Sequence, residues 1–229
     1  MKNYFIYLLT ALLISCTSNK FESGFQKNVT GRYLYNSNEI IEVYFENDIL
    51  YLNWRGANKI KPLKVSENTF YIKEMNEKIR FLINPINREF YMSLVPKDNK
   101  NELTYNFKKL KDSEKIPDDY LKSGDFDNAL KLFVSIKQKD SLDANINENY
   151  LNKTGYNYLR NKEFVKAINI FKINVALYPY SSNVYDSLGE AYLKSGDTLL
   201  AVTNYKKSLA LDSANKRAKK IIEKYSQKN

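Results

Sequence analysis

Histidine is missing from this 229-residue chain, cysteine occurs once, and only seven glycines and five prolines are present. The lack of histidine removes the commonest general base and metal ligand at neutral pH. A single cysteine, Cys16, leaves no partner for an internal disulfide. The few glycines form no phosphate-cradling loop, and the carboxylates are scattered rather than set at metal-ligand spacing. Neither a cofactor nor a metal is expected, and the chain reads as a non-enzyme.

Charge of one sign is in excess, at a formal +10, which on its face suggests a nucleic-acid binder. Its distribution argues otherwise. Residues 16–110 hold 15 basic and 11 acidic side chains, residues 111–215 hold 14 of each, and residues 216–229 hold six basic against Glu223 alone. The excess is thus a solvated surface with a basic tail, suited to anionic lipid or an acidic partner, and no nucleic-acid partner is expected.

The segment Met1 to Cys16 runs from a charged start into an apolar stretch too short to span a bilayer, as in a secretory signal. The stretch ends in Leu13-Ile14-Ser15-Cys16, which resembles the lipobox of bacterial lipoproteins. That resemblance implies a signal peptide over residues 1–15, lipidation of Cys16, a spacer over 16–28, and a membrane anchor in the cell envelope facing the periplasm or at the outer membrane.

From residue 29 to 110 the composition turns to β-branched and aromatic residues in short runs, with Asn, Asp, Gly or Pro between them. Eight strands are expected, at 29–35, 40–45, 49–54, 59–65, 69–73, 78–83, 89–95 and 103–107. Such short connections permit only antiparallel neighbours, so the expectation is a meander that closes into a small barrel or a curled sheet. Its interior is either packed with its own side chains or, in a lipocalin-like way, opened around a small ligand. Trp54, Phe70, Phe81 and Tyr91 are read as core.

Residues 111–229 change to a helical spacing of apolar residues. Slid along itself by one constant offset, the sequence pairs Gly155 with Gly189, Tyr158 with Tyr192, Ala167 with Ala201, Phe171 with Tyr205, and Pro179 with Ser213. The offset and the residue types resemble the tetratricopeptide repeat, TPR, in which a small residue on helix A receives a large one from helix B. The resemblance implies units at 148–181 and 182–215, a degenerate unit at about 110–147 whose helix A is one short turn at Pro117, and a cap at 216–226. The packing set is Gly155, Tyr158, Ala167, Phe171, Pro179, Gly189, Tyr192, Ala201 and Tyr205. The expected fold is therefore α+β and multidomain, an antiparallel β domain followed by an α-helical superhelix.

A longer string, from Asn152…Gly155-Tyr156 to Asn183-Val184-Tyr185-Asp186-Ser187-Leu188-Gly189-Glu190, resembles the accessory region that follows the catalytic domain in some β-lactamase-related serine hydrolases. The catalytic domain itself has no counterpart here. Ser213-Ala214-Asn215-Lys216, Tyr150-Leu151-Asn152 and Lys153-Thr154-Gly155 imitate the penicillin-recognising motifs, but in the wrong order, and Lys153-Thr154-Gly155 falls inside a repeat helix instead of on a strand. Asp118-Asp119 and Asp125…Asp127 are read as acids at helix starts rather than calcium ligands.

By the TPR resemblance, helix A residues facing away from the packed side line an inner surface. They are Asn149, Asn152, Tyr156 and Arg160 in one unit, and Asn183, Asp186, Glu190 and Lys194 in the next. Amides and mixed charge suit an envelope protein or peptide partner, while Asp186 and Asn152 above all equally suit contacts between repeats. Three roles follow: a lipid-anchored binding protein, an accessory subunit of a separately encoded serine hydrolase, or a small-ligand carrier based on the β domain.

Overall fold

The computed structural model describes Phe21 and residues 24–226; the signal segment, Cys16 and most of the spacer lie outside the described residues. Helix α1 (Phe25–Val29) precedes nine strands: β1 (Gly31–Asn36), β2 (Glu39–Glu46), β3 (Ile49–Trp54), β4 (Ala57–Ile60), β5 (Leu63–Lys64), β6 (Thr69–Ile72), β7 (Glu77–Ile83), β8 (Phe90–Leu94) and β9 (Phe107–Lys108). They form a four-stranded sheet β1-β2-β3-β4 and a five-stranded sheet β5-β6-β7-β8-β9, every pairing antiparallel.

The expected eight-stranded meander is therefore split in two. The break falls inside the strand expected at 59–65, at Lys61-Pro62, because Pro62 has no N–H to continue a ladder. The chain bends there and passes from one sheet to the other, a corner of the kind that joins packed sheets. On the far side Lys109 reconnects the sheets: its N–H donates to Phe90 O (2.8 Å), it bridges Tyr33, and Leu110 N–H donates to Arg32 O (2.7 Å). Two further expectations fail locally. Val29 ends a helix rather than opening a strand, and of 103–107 only Phe107 is in a strand, since the preceding segment satisfies itself through Thr104 and Asn106 bonds to β8.

Alternation along the strands places one side of each inside. Leu50, Leu52 and Trp54 of β3 are buried while Ile49, Tyr51 and Asn53 are not. Tyr33, Ile41, Val43, Phe70, Ile72, Ile79, Phe81 and Met92 join them in one cluster that fills the space between the sheets. Tyr91 is not part of that core; it is half-buried outside, its ring 5.4 Å from Tyr105. Tight hairpins follow from left-handed residues, Asn47-Asp48 between β2 and β3 and Arg55-Gly56 between β3 and β4.

The helices are α2 (Pro117–Ser123), α3 (Phe126–Lys139), α4 (Glu148–Arg160), α5 (Phe164–Leu177), α6 (Ser182–Ser195), α7 (Thr198–Leu211) and α8 (Lys216–Ser226). At Pro117 the chain forms two turns, not one: proline suits the first helical position, and Asp119 Oδ2 accepts the N–H of Ile116 (2.9 Å). Asp125, Asn147 and Asp197 cap α3, α4 and α7, each accepting from the N–H three residues on. The turn inside each pair holds one left-handed residue, Gly124, Lys162 and Gly196.

The two parts are joined through the β1–β2 hairpin. Arg32 pairs with Asp119, the N–H of Asp118 donates to Asn38 Oδ1 (3.0 Å), and the Tyr150 hydroxyl donates to Asp118 Oδ1 (2.7 Å). Asn38 is itself buried, so the helical region sits on a satisfied polar contact.

A Cβ added at Gly155 would lie 2.5 Å from Cε1 of the fully buried Phe171, whereas one at Gly189 would lie 3.2 Å from the Tyr205 ring. Overpacking costs about 1–3 kcal/mol, against a gain of about 1 kcal/mol for replacing glycine in a helix. Urea titration should show Gly155→Ala losing about 1–2 kcal/mol and Gly189→Ala changing little. Burial raises the phenols of Tyr33, Tyr150 and Tyr205 well above their ordinary value of 10.0, with Asp118 adding to the rise at Tyr150. The folded state keeps these protons where the unfolded chain loses them, so their stabilisation is full below pH 10 and disappears as pH climbs toward the folded values. Spectrophotometric titration should find these three phenolates only where the protein unfolds.

Candidate functional site

Helices α4, α6 and α8 begin at Glu148, Ser182 and Lys216, so their starts are evenly spaced along the chain. Side chains at equal places therefore form rows across three neighbouring helices: Asn149, Asn183 and Arg217; Asn152, Asp186 and Lys220; Tyr156, Glu190 and Lys224; with Arg160 and Lys194 in a last row on α4 and α6. The other side of these helices is given to packing. Leu159, Ala167, Phe171, Leu188, Ala191, Tyr192, Ala201, Tyr205 and Ala218 make one buried cluster. Tyr158 is half-buried against it, and Pro179 is exposed in the turn, where its carbonyl accepts the Tyr185 hydroxyl (3.2 Å).

The rows are cross-linked. Asn183 Nδ2 donates to Glu148 Oε1 (2.8 Å), and the Tyr156 hydroxyl donates to Glu190 Oε2 (3.0 Å). Arg217 reaches back from α8, donating from Nη1 to Glu190 Oε2 (2.6 Å) and from Nε to Asp186 Oδ1 (3.2 Å), with a second pairing to Asp186 Oδ2. Asn215 Nδ2 donates to the same Asp186 oxygen (3.1 Å) and to Ser208 Oγ (2.9 Å), while its own Oδ1 accepts the N–H of Ala218 and caps α8. Lys194 Nζ lies 3.3 Å from Glu190 Oε1.

The eight inner-face residues named from sequence are thus on one surface but in different states. Asp186 and Glu190 are occupied by the chain's own last helix, and Tyr156 is spent on Glu190. Asn149 is exposed, and so is Arg160, whose only side-chain partner among the described residues is Asn157 on its own helix. Asn152 carries a buried Oδ1 with no donor, although Asp186 in the same row has three. Sequence reasoning missed Arg217, in the segment read only as a cap, and Asn215, the last residue of the second unit. The signal was available in the period, since Arg217 follows Asn183 by the same interval that separates Asn183 from Asn149.

Two full helix pairs follow one another at this constant interval, each with a glycine on its first helix meeting a ring from its second. The helical region has a tetratricopeptide-like fold. No family model matches the chain. It is 34% identical over 99 residues to the heat shock protein STI1 of Saccharomyces cerevisiae, covering 43% of this chain and 16% of that protein's length. Among solved structures, the first TPR of Spaghetti (RPAP3) bound to the HSP90 peptide SRMEEVD is similar over 49% of this chain and 86% of its own, at 23% identity and a TM-score of 0.35. The TPR domain of Sgt2 from Aspergillus fumigatus matches over 49% and 73%, at 18% identity and a TM-score of 0.35.

Among the described residues no group of three or more His, Cys, Asp or Glu side chains is placed to hold a metal ion, and no helix is long and apolar enough to cross a membrane. Asp119 Oδ2 accepts the N–H of Ile116 and Asp125 Oδ1 that of Asn128 at helix starts, and Asp119 also pairs with Arg32.

Removing one side of a buried ion pair costs about 3–5 kcal/mol, less where solvent screens it. Arg217 is 45% exposed and Asp186 9% in their side chains. Arg217→Ala should therefore lower stability by about 1–2 kcal/mol in urea titration. Arg217→Lys should recover only part of this loss, because an ammonium cannot reproduce the forked contact.

Proposed function

We propose that this chain is a non-catalytic binding protein, tethered to a bacterial envelope membrane through lipid on Cys16, that holds a protein or peptide partner on the inner face of its helical repeat. The observation that carries the reading is the row arrangement, in which polar side chains at matching places on α4 and α6 face away from the packed core. An amide ladder of this kind suits the alternating N–H and C=O groups of a peptide main chain. Asn149 is exposed and available for such bonds.

The tether rests on the Leu13-Ile14-Ser15-Cys16 pattern after an apolar stretch. A second reading makes the partner a serine hydrolase encoded separately, on the strength of the string from Asn152 to Glu190. The small-ligand carrier finds no support, because aromatic and aliphatic side chains fill the space between the sheets.

Crosslinking the full chain in its own envelope, against the Asn149→Ala/Asn183→Ala variant, tests the binding surface. Both residues are exposed, and only the Asn183 bond to Glu148 is lost, so far-UV circular dichroism should not change. Capture of the partner is expected to fall roughly tenfold, the equivalent of about 1.4 kcal/mol. Undiminished capture by the folded variant would remove the inner face as the binding element, and a captured serine hydrolase would select the second reading.

A further inference from the structure

Helix α8 is divided sharply between its two sides. Ala218, Ile221 and Ile222 turn into the apolar cluster of the repeat, and Arg217 reaches back to Asp186 and Glu190. Lys216, Lys219, Lys220, Glu223 and Lys224 are exposed. Each residue turns about 100° around a helix, so these five fall within an arc of about 140° opposite the three packed side chains. At Lys220 and Lys224 the stripe adjoins the inner face; Lys219 lies at its far edge.

These lysines differ from the other cations of the chain in two ways. Among the described residues none of the four lies within ion-pair distance of a carboxylate, not even of Glu223 on the same helix, whereas Arg32, Lys108 and Lys122 each have such a partner. Their placement also opposes the helix dipole. Helices α2, α3 and α4 carry acids in their first turn, as the dipole favours, while α8 carries none there and has Lys216, Arg217 and Lys219 instead. Arg217 is answered by Asp186; Lys216 and Lys219 gain nothing from the helix on which they stand. Asp212, in the turn before α8, gives its Oδ1 to the N–H of Ala214 (2.9 Å).

The chemistry of this side selects its occupant. A helix lying on lipid sinks apolar residues among the acyl chains, and the exposed stripe of α8 has none. The same stripe on a second copy would repel it. Carboxylates of a protein segment complement it directly, over the roughly 12 Å from Lys216 to Lys224. We infer that the outward side of α8 docks an acidic segment of a partner protein, with Lys216, Lys219, Lys220 and Lys224 each meeting a carboxylate. This docking does not require a partner on the inner face.

The full chain is titrated with a synthetic glutamate-rich peptide and followed by fluorescence anisotropy. Two variants lose equal charge. One is Lys216→Gln/Lys219→Gln/Lys220→Gln/Lys224→Gln; the other is Lys27→Gln/Lys61→Gln/Lys73→Gln/Lys100→Gln, at exposed lysines of the β domain. Glutamine forms helix about as well as lysine, and Arg217 and the packed side chains are kept, so far-UV circular dichroism should match the native chain in both. The α8 variant should bind the peptide roughly tenfold more weakly, as for losing four exposed ion pairs, and the β-domain variant within about twofold of the native chain. Equal weakening in the two variants would make net charge the sole attraction and overturn the proposal, as would undiminished binding by the α8 variant. Displacement of the peptide by phosphatidylglycerol vesicles, but not by phosphatidylethanolamine ones, would assign the stripe to lipid and overturn it. Self-association of the native chain that the α8 variant lacks would assign the stripe to a second copy, with the same consequence.

Discussion

The ring of Phe171 lies where a side chain on Gly155 would have to be, and Tyr205 stands in the same relation to Gly189. This close approach presses the two helices of each pair together and sets which side of the first helix is consumed by packing. Everything on its opposite side is then displayed in rows, one member per repeat. A larger residue at Gly155 would push α5 outward and disturb the alignment of α4 with α6. The inner surface is thus a consequence of backbone contact on the other side of the same helices.

Closure of that surface is electrostatic. Asp186 is nearly buried and would be costly to leave alone. Asn215 and Arg217 answer it from the last turn and last helix, and Arg217 extends the link to Glu190 and so to Tyr156 on α4. The cap therefore covers the final apolar face with Ala218, Ile221 and Ile222 and also ties three successive first helices together by side-chain bonds. Exposed beside it in the same rows are the amides of Asn149 and Asn183 and the cations of Arg160, Lys194, Lys220 and Lys224.

The β domain has a comparable division of labour between its ends. One end carries Phe21 and α1, the other carries the turn that receives Asp118 and, through it, Tyr150. The sheets fill their own interior, and β2 spans the distance between the Phe21 end and the turn on which the helices dock.

Local periodicity made much of this legible from the residues alone. Gly155, Ala167 and Phe171 recur at Gly189, Ala201 and Tyr205, and a helix reports its period through neighbours three and four residues apart. Alternation similarly marks β3 and β7. Pro62 was equally visible, yet its consequence depends on whether neighbouring strands can lend it a ladder, and that is a property of the sheet. The contacts that join distant segments exist only in three dimensions: Arg32 with Asp119 and Asn38 with Asp118 bridge 87 and 80 residues, and Arg217 meets Asp186 across 31. Residue type states that a charge or amide needs a partner, but which partner arrives is set by how whole elements pack. Residue order was enough to set the elements and their period, because both follow from neighbours along the chain; which of their polar faces stayed open was left to long-range packing.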